Sequence, residues 1–260
     1  MNTKILSERA MEMINQYKNF HIENSVCSIP YFNNKVTAER AGLRARLGKG
    51  SPKDIFDEVE ELSIRQKIAV KNFSNDDLKN FLIDNNIGID CSGFVYYILN
   101  EECISRDKGS IDRYLSFPFS IGIIGKIKSR FRPVENTDVK TLAHNKNSRK
   151  VEIKDIKVGD IITMIKSAEN ELGQRDHIII IYQIEYQNFL PITLHYVHSI
   201  AWPTDGQYGH GIHEGKIDII DLNKNIIDQR WIELDKSGEE NHTYMRAGKS
   251  LTEIRRLNCF

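Results

Sequence analysis

Gly88-Ile89-Asp90-Cys91-Ser92-Gly93-Phe94-Val95-Tyr96-Tyr97-Ile98-Leu99 is the stretch from which the rest of the chain is read. Cys91, Phe94, Val95, Ile98 and Leu99 stand at i, i+3, i+4, i+7 and i+8. That is the spacing of one helix face, so a helix starts at Cys91 and is buried on the cysteine's own side. At a helix start the unpaired N–H groups and the macrodipole favour thiolate over thiol, and the same amides can hold an oxyanion. Asp90 and Ser92 flank the thiol, Ser92 as a donor at the mouth, and Gly93 lets a substrate backbone come close. The bland alternative is a small buried cysteine opening a core helix, the commoner situation for cysteines in general.

Upstream, residues 3–18 carry Ile5, Met11, Met13 and Ile14 among charges, consistent with an amphipathic helix, and Val26 to Phe32 reads as extended. Ser51-Pro52-Lys53-Asp54 has the cap, first-turn proline and N3 acid of a helix start, and Ser74-Asn75-Asp76-Asp77 repeats that logic. Downstream, residues 105–150 are irregular and are expected to form a lid or insertion. After Val151 the pattern turns to strands: Asp160 to Ile165, His177 to Glu185, Ile192 to Ile200, Lys216 to Asp221, Thr243 to Arg246 and Leu251 to Leu257. Helices first and strands afterwards make an α+β chain. The expected division is a helical N-terminal region over residues 1–87 and a core over 88–260, in which the Cys91 helix packs on an antiparallel sheet.

In 260 residues with 40% apolar content, 36 basic side chains balance 36 acidic ones, so no global field gathers nucleic acid or an anionic membrane. The charged start Met1-Asn2-Thr3-Lys4 is no signal peptide, and no apolar run approaches the ~18 residues of a membrane span, so a cytoplasmic protein is expected. Cys27, Cys91, Cys103 and Cys259 lie far apart with no C-x-x-C spacing and read as individual thiols. Arg40, Arg44, Arg46 and Lys49, like Lys126, Lys128, Arg130 and Arg132, read as solvated charge. The H-x-x-H pairs His195/His198 and His210/His213 do not make a metal site: on a strand i and i+3 diverge, and the second pair is expected in a glycine-rich loop. Gly48-Lys49-Gly50-Ser51 has the wrong spacing for a phosphate loop. No metal or other cofactor is expected.

A thiol nucleophile needs an imidazole, and His177 opens the most apolar strand of the chain, Ile178-Ile179-Ile180-Ile181-Tyr182, directly after Arg175-Asp176. That position is a sheet margin beside a cleft. A third polar group should orient the ring, and Leu194-His195-Tyr196-Val197-His198-Ser199 sends His195 and His198 to opposite faces. Alternation alone leaves both open.

The run Asp90-Cys91-Ser92-Gly93-Phe94-Val95, the turn Val158-Gly159-Asp160-Ile161-Ile162, the His177-led strand and Val197-His198-Ser199 together resemble the NlpC-type cysteine endopeptidase superfamily, compact papain-like enzymes, many of which cut peptidoglycan stem peptides. The resemblance covers about residues 88–200. It implies a papain-like fold with Cys91 as nucleophile, His177 as base and His198 as orienter. Two features depart from it: Ile178-Ile179-Ile180 replaces the usual Val-Gly-Ile, and no tyrosine lies about a dozen residues before the cysteine. The resemblance implies Tyr31 for that oxyanion-side role if Val36 to Asn86 is a helical insertion. The expected activity is thiol hydrolysis of an amide in a peptide, of cell-wall or isopeptide type, through a thioester. Acyl transfer or deamidation at the same site, and a non-catalytic peptide-binding module, are the alternatives.

Overall fold

The structure is a computed structural model that describes residues 2–34, 43–166, 175–233 and 241–260, the side chains of 123, 124, 126 and 128 excepted. Arg40, the start of the expected insertion at Val36, and the side chains of Lys126 and Lys128 lie outside the described residues.

Ten strands and nine α-helices are described: β1 Asn2–Ile5, α1 Glu8–Lys18, β2 Phe20–Ile22, β3 Ser25–Cys27, α2 Pro52–Gln66, α3 Asn75–Asp84, α4 Cys91–Ser105, α5 Gly122–Phe131, α6 Pro133–Asn136, α7 Val139–Ala143, β4 Ser148–Lys150, β5 Ile161–Lys166, β6 His177–Gln187, β7 Leu190–Ile200, α8 Gly206–Gly209, β8 Gly211–Asp218, β9 Arg230–Ile232, α9 His242–Gly248 and β10 Ser250–Leu257. This is an α+β chain. Its main sheet is antiparallel in the order β4-β10-β5-β6-β7-β8-β9, with β1 on the far half of β6. β2 and β3 pair separately.

The isoleucine run explains the layering. Ile178 and Ile180 enter the cluster shared with α1 and α4, while Ile179 and Ile181 enter a second cluster with Ile162, Met164, Tyr196 and Trp231. β6 is covered on both faces, which is why it reads as a continuous apolar run and not as alternation. α4 packs on β6 and β7 from one side, with α1 and α6 against it. Its buried residues include Tyr96 and Glu102 as well as the expected face, so the helix is enclosed nearly all round.

Four local expectations change. Asn2–Ile5 is not helical: it pairs with β6 from Asn2↔Tyr186 to Ile5↔Gln183, and the helix waits for Ser7, whose side chain accepts the Ala10 N–H. Thr243 to Arg246 is helix, not strand, because Asn241 caps it by accepting the Tyr244 N–H. His213 is on a strand and not in a loop, since β8 forms an unbroken ladder with β7 from Ile200↔Gly211 to Thr193↔Asp218. The glycines there serve packing: a Cβ on Gly215 would come within 2.4 Å of the Tyr196 ring. Lastly, Cys103 and Cys259 are not isolated thiols, because the chain end returns to α4 and brings their sulfurs to 3.6 Å.

Within 105–150, Ile111, Leu115, Val134, Val139 and Leu142 are all buried in the cluster under α4. No described helix is long and apolar enough to cross a membrane.

Candidate functional site

The start of α4 is fixed by a buried ion pair. Asp90 Oδ1 accepts the Gly93 N–H at 2.6 Å, the Ser92 hydroxyl at 3.0 Å and Lys49 Nζ at 2.9 Å. Lys49 Nζ also donates to Ser92 Oγ at 2.7 Å and to the Thr137 carbonyl at 2.8 Å. Lys49, expected as solvated charge, is only 5% exposed, and its stem crosses Gly93 closely enough that a Cβ there would meet Ile89 Cδ1 at 2.8 Å and Lys49 Cδ at 3.2 Å. The close approach at Gly93 is therefore made by the chain's own residues. Asp90 and Ser92 likewise face inward, so the Ser92 hydroxyl belongs to the helix anchor and not to a mouth. The Ser199 hydroxyl donates to the Ile89 carbonyl at 2.8 Å and ties this lead-in to β7.

β6 and β7 bring the two expected histidines together. Ile180↔Val197 sets the register, and His177 Nε2 lies 2.7 Å from His198 Nδ1. His198 Nε2 lies 3.0 Å from Glu233 Oε1, and Glu233 Oε2 accepts the Tyr196 hydroxyl at 2.5 Å. His177, His198 and Glu233 are all buried. His195, as alternation requires, stands away from them, partly exposed and 2.8 Å from Glu185.

This chain of bonds sets the tautomers. Glu233 is held below the usual carboxylate range: burial opposes its charge, but His198 and the bonds it accepts outweigh that penalty. As a carboxylate it accepts only, so His198 Nε2 carries a hydrogen and His198 Nδ1 is left as the acceptor. His177 Nε2 must then be the donor to His198, which leaves His177 Nδ1 with its lone pair. Burial, then the neighbouring His198, Arg246 and His213, push His177 well below the ordinary histidine value. The ring is neutral, with its bare nitrogen free to take a proton.

The backbone amide of Ile178, the residue after His177, lies near enough to Cys91 to act on its thiol. Burial and the Asp90 charge push its thiol up to about 12, against the opposing pull of Lys49, Arg246 and that amide. The helix start was expected to favour thiolate; desolvation wins here, and the resting pair is thiol and neutral imidazole. Arg246, on α9, donates to the Arg175 carbonyl at 3.2 Å, two residues before His177. Tyr31 bridges Ile89, and its own N–H donates to His210 Nδ1 at 3.0 Å. Its phenol is raised by burial first and then by Cys91, which marks the two side chains as neighbours.

Cys91, His177, His198 and Tyr31 therefore share one locality, although 167 positions separate Tyr31 from His198. Lys49, Glu233, Tyr196 and Arg246 belong to it too and escaped sequence reasoning. Only Glu233 had a usable signal, its alternation with Trp231, and it stands just past a strand of three residues, Arg230–Ile232. His213 faces His198 across the β7–β8 ladder and sits 3.4 Å from Asp205 and 3.6 Å from Glu233. Among the described residues no group of three or more His, Cys, Asp or Glu is arranged to hold a metal ion. Comparison with protein-family models, with curated proteins and with solved structures finds no match in any of the three.

Proposed function

We propose that this chain is a papain-like thiol hydrolase of the NlpC type, which cleaves an amide bond with Cys91 as nucleophile, His177 as general base and acid, and His198 as the residue that orients it. The observation that carries the reading is the Glu233–His198–His177 chain, 3.0 and 2.7 Å, at the start of the strand whose next residue, Ile178, acts through its amide on the Cys91 thiol. His177 Nδ1 takes the thiol proton as sulfur attacks the carbonyl carbon. The tetrahedral oxyanion is held by the Cys91 and Ser92 amides, which open α4 and lie outside its i→i−4 ladder, with the Tyr31 hydroxyl beside them. His177 then gives the proton to the leaving amine, and water, deprotonated by the same nitrogen, releases the acid from the thioester. The substrate class is a peptide of cell-wall or isopeptide type.

A non-catalytic peptide-binding module of the same fold is the second reading. It is favoured by one observation, that Cys91 and His177 are 4% and 2% exposed with the thiol protonated. An iodoacetamide-type probe at graded pH separates the two. Alkylation of Cys91 faster than of Cys27, lost in Cys91→Ala and slowed in His177→Ala, supports the enzyme. Alkylation of Cys91 no faster than of an ordinary free thiol supports the binding module.

A further inference from the structure

Cys103 and Cys259 are 156 positions apart, yet their sulfurs stand 3.6 Å from each other in the core, 0% and 5% exposed. Cys103 lies in the last turns of α4, and Cys259 is the penultimate residue, just past the end of β10. The chain end is positioned by several contacts. The Asn258 N–H donates to the Asn147 carbonyl at 2.9 Å, Lys108 Nζ donates to the Cys259 carbonyl, and the Arg106 guanidinium lies 4.6 Å from the centre of the Phe260 ring.

We propose that Cys103 and Cys259 form a reversible dithiol–disulfide site, whose oxidised state pins the chain end to the nucleophile helix. A disulfide needs its sulfurs at ~2.05 Å, so ~1.5 Å of closure is required. The segment after Leu257 can supply it, because the backbone leaves the β10 ladder there. The contact with Cys103 holds Cys259 below the ordinary thiol range against the opposing effect of burial, with Lys108 and Arg106 adding to it, while the same contact and burial raise Cys103. Cys259, 5% exposed against 0% for Cys103 and carried on the segment beside Lys108 and Arg106, is the attacking sulfur.

The co-reactant is a low-molecular-weight disulfide, RS–SR. The Cys259 thiolate attacks one sulfur and expels RS⁻, which takes the proton of Cys103. The Cys103 thiolate then attacks the Cys259 sulfur of the mixed disulfide and expels the second RS⁻, which takes the proton first lost by Cys259. Two protein thiols become one disulfide and RS–SR becomes two RSH. Cys103 lies twelve positions after Cys91 on α4, ~18 Å of rise, so the bridge forms without the Cys91 site and does not depend on its proposed chemistry.

The test is incubation of the whole chain with oxidised glutathione, followed by thiol counting under denaturant and peptide mapping. The expected result is loss of two of the four thiols, one linked peptide pair carrying Cys103 and Cys259, and reversal by dithiothreitol. The melting temperature should rise by several degrees, since the closed loop is long. Cys103→Ser should trap the glutathione adduct on Cys259, whereas Cys259→Ser should leave Cys103 unmodified. Four thiols still free at an excess that oxidises an exposed dithiol peptide would overturn the proposal. So would a bridge that uses Cys27 or Cys91, or one that forms only in denaturant. Peptide mapping of the unaltered chain decides the matter even if a serine variant folds poorly.

Discussion

Glu233 shows how much a single carboxylate controls in this site. Its position behind His198 dictates which nitrogen of each ring carries hydrogen, and hence that His177 presents a bare Nδ1. Glu233→Gln keeps the shape but replaces an acceptor with an amide able to donate. If the amide N–H₂ faces His198 Nε2, His198 must carry its hydrogen on Nδ1, and His177 is forced into the tautomer with Nδ1–H. The orienting carboxylate of a catalytic triad is worth up to ~10⁴-fold in rate by this route. We expect Glu233→Gln to lower amide cleavage by about 10²–10⁴-fold while leaving the far-ultraviolet dichroism unchanged. Parallel kinetics and dichroism check this; a loss below tenfold would show that His177 is oriented by something else.

The helix that carries Cys91 depends on Lys49, a residue outside the helix. The buried Lys49–Asp90 pair also satisfies Ser92 and the Thr137 carbonyl, so removing the lysine strands a buried carboxylate. Breaking one partner of such a pair costs about 3–5 kcal/mol. Lys49→Met should lose that much in urea unfolding, and adding Asp90→Asn should recover part of it, because the orphan charge is gone. A Lys49→Met loss within about 0.5 kcal/mol would contradict the anchor.

Elements of this kind differ in how far sequence reveals them. α2 and α3 begin where Ser51 and Ser74 were read as caps, each closing a capping box with its N3 aspartate. β5, β6, β7 and β10 lie within a few residues of their expected spans, since long apolar runs carry strong signals. β1 was hidden because four exposed residues next to a helix have no periodicity of their own and are strands only by pairing with β6. Asn241 capping turned a stretch rich in strand formers into α9. Cys91 and His177 were legible because each heads a patterned element, whereas His198 was separated from His195 only by the resemblance. Lys49 and Glu233 were not, because what defines them is a buried partner distant in sequence: Asp90 in one case, His198 in the other.

At the scale of the molecule, the site sits where β6 and β7 meet the start of α4, with the sheet closed on both faces by apolar clusters. Burying neutral imidazole there links the site to stability. His177 has a folded value well below the 6.5 of the unfolded chain, so below pH 6.5 the unfolded state binds more protons and stability falls with pH. Its contribution is fully present above pH 6.5 and is lost as pH drops towards the folded value. Glu233, lowered from 4.5, adds a second loss of the same sign below that pH. Urea unfolding should show stability decreasing between pH 6.5 and 5 by up to about 1.4 kcal/mol per pH unit from His177 alone, and His177→Gln should flatten that slope. Equal slopes in the two proteins would mean that His177 titrates normally in the fold.

The claim that Cys91 performs acyl transfer is tested most directly by intact-mass analysis of the chain during turnover of muropeptides and simple acyl donors. The account predicts a single acyl adduct on Cys91, absent in Cys91→Ala, formed at least about 100-fold more slowly in His177→Ala, and decaying to free acid as cleaved amide accumulates. Cleavage that survives Cys91→Ala, or acylation that falls on Cys27 at a rate independent of His177, would contradict it.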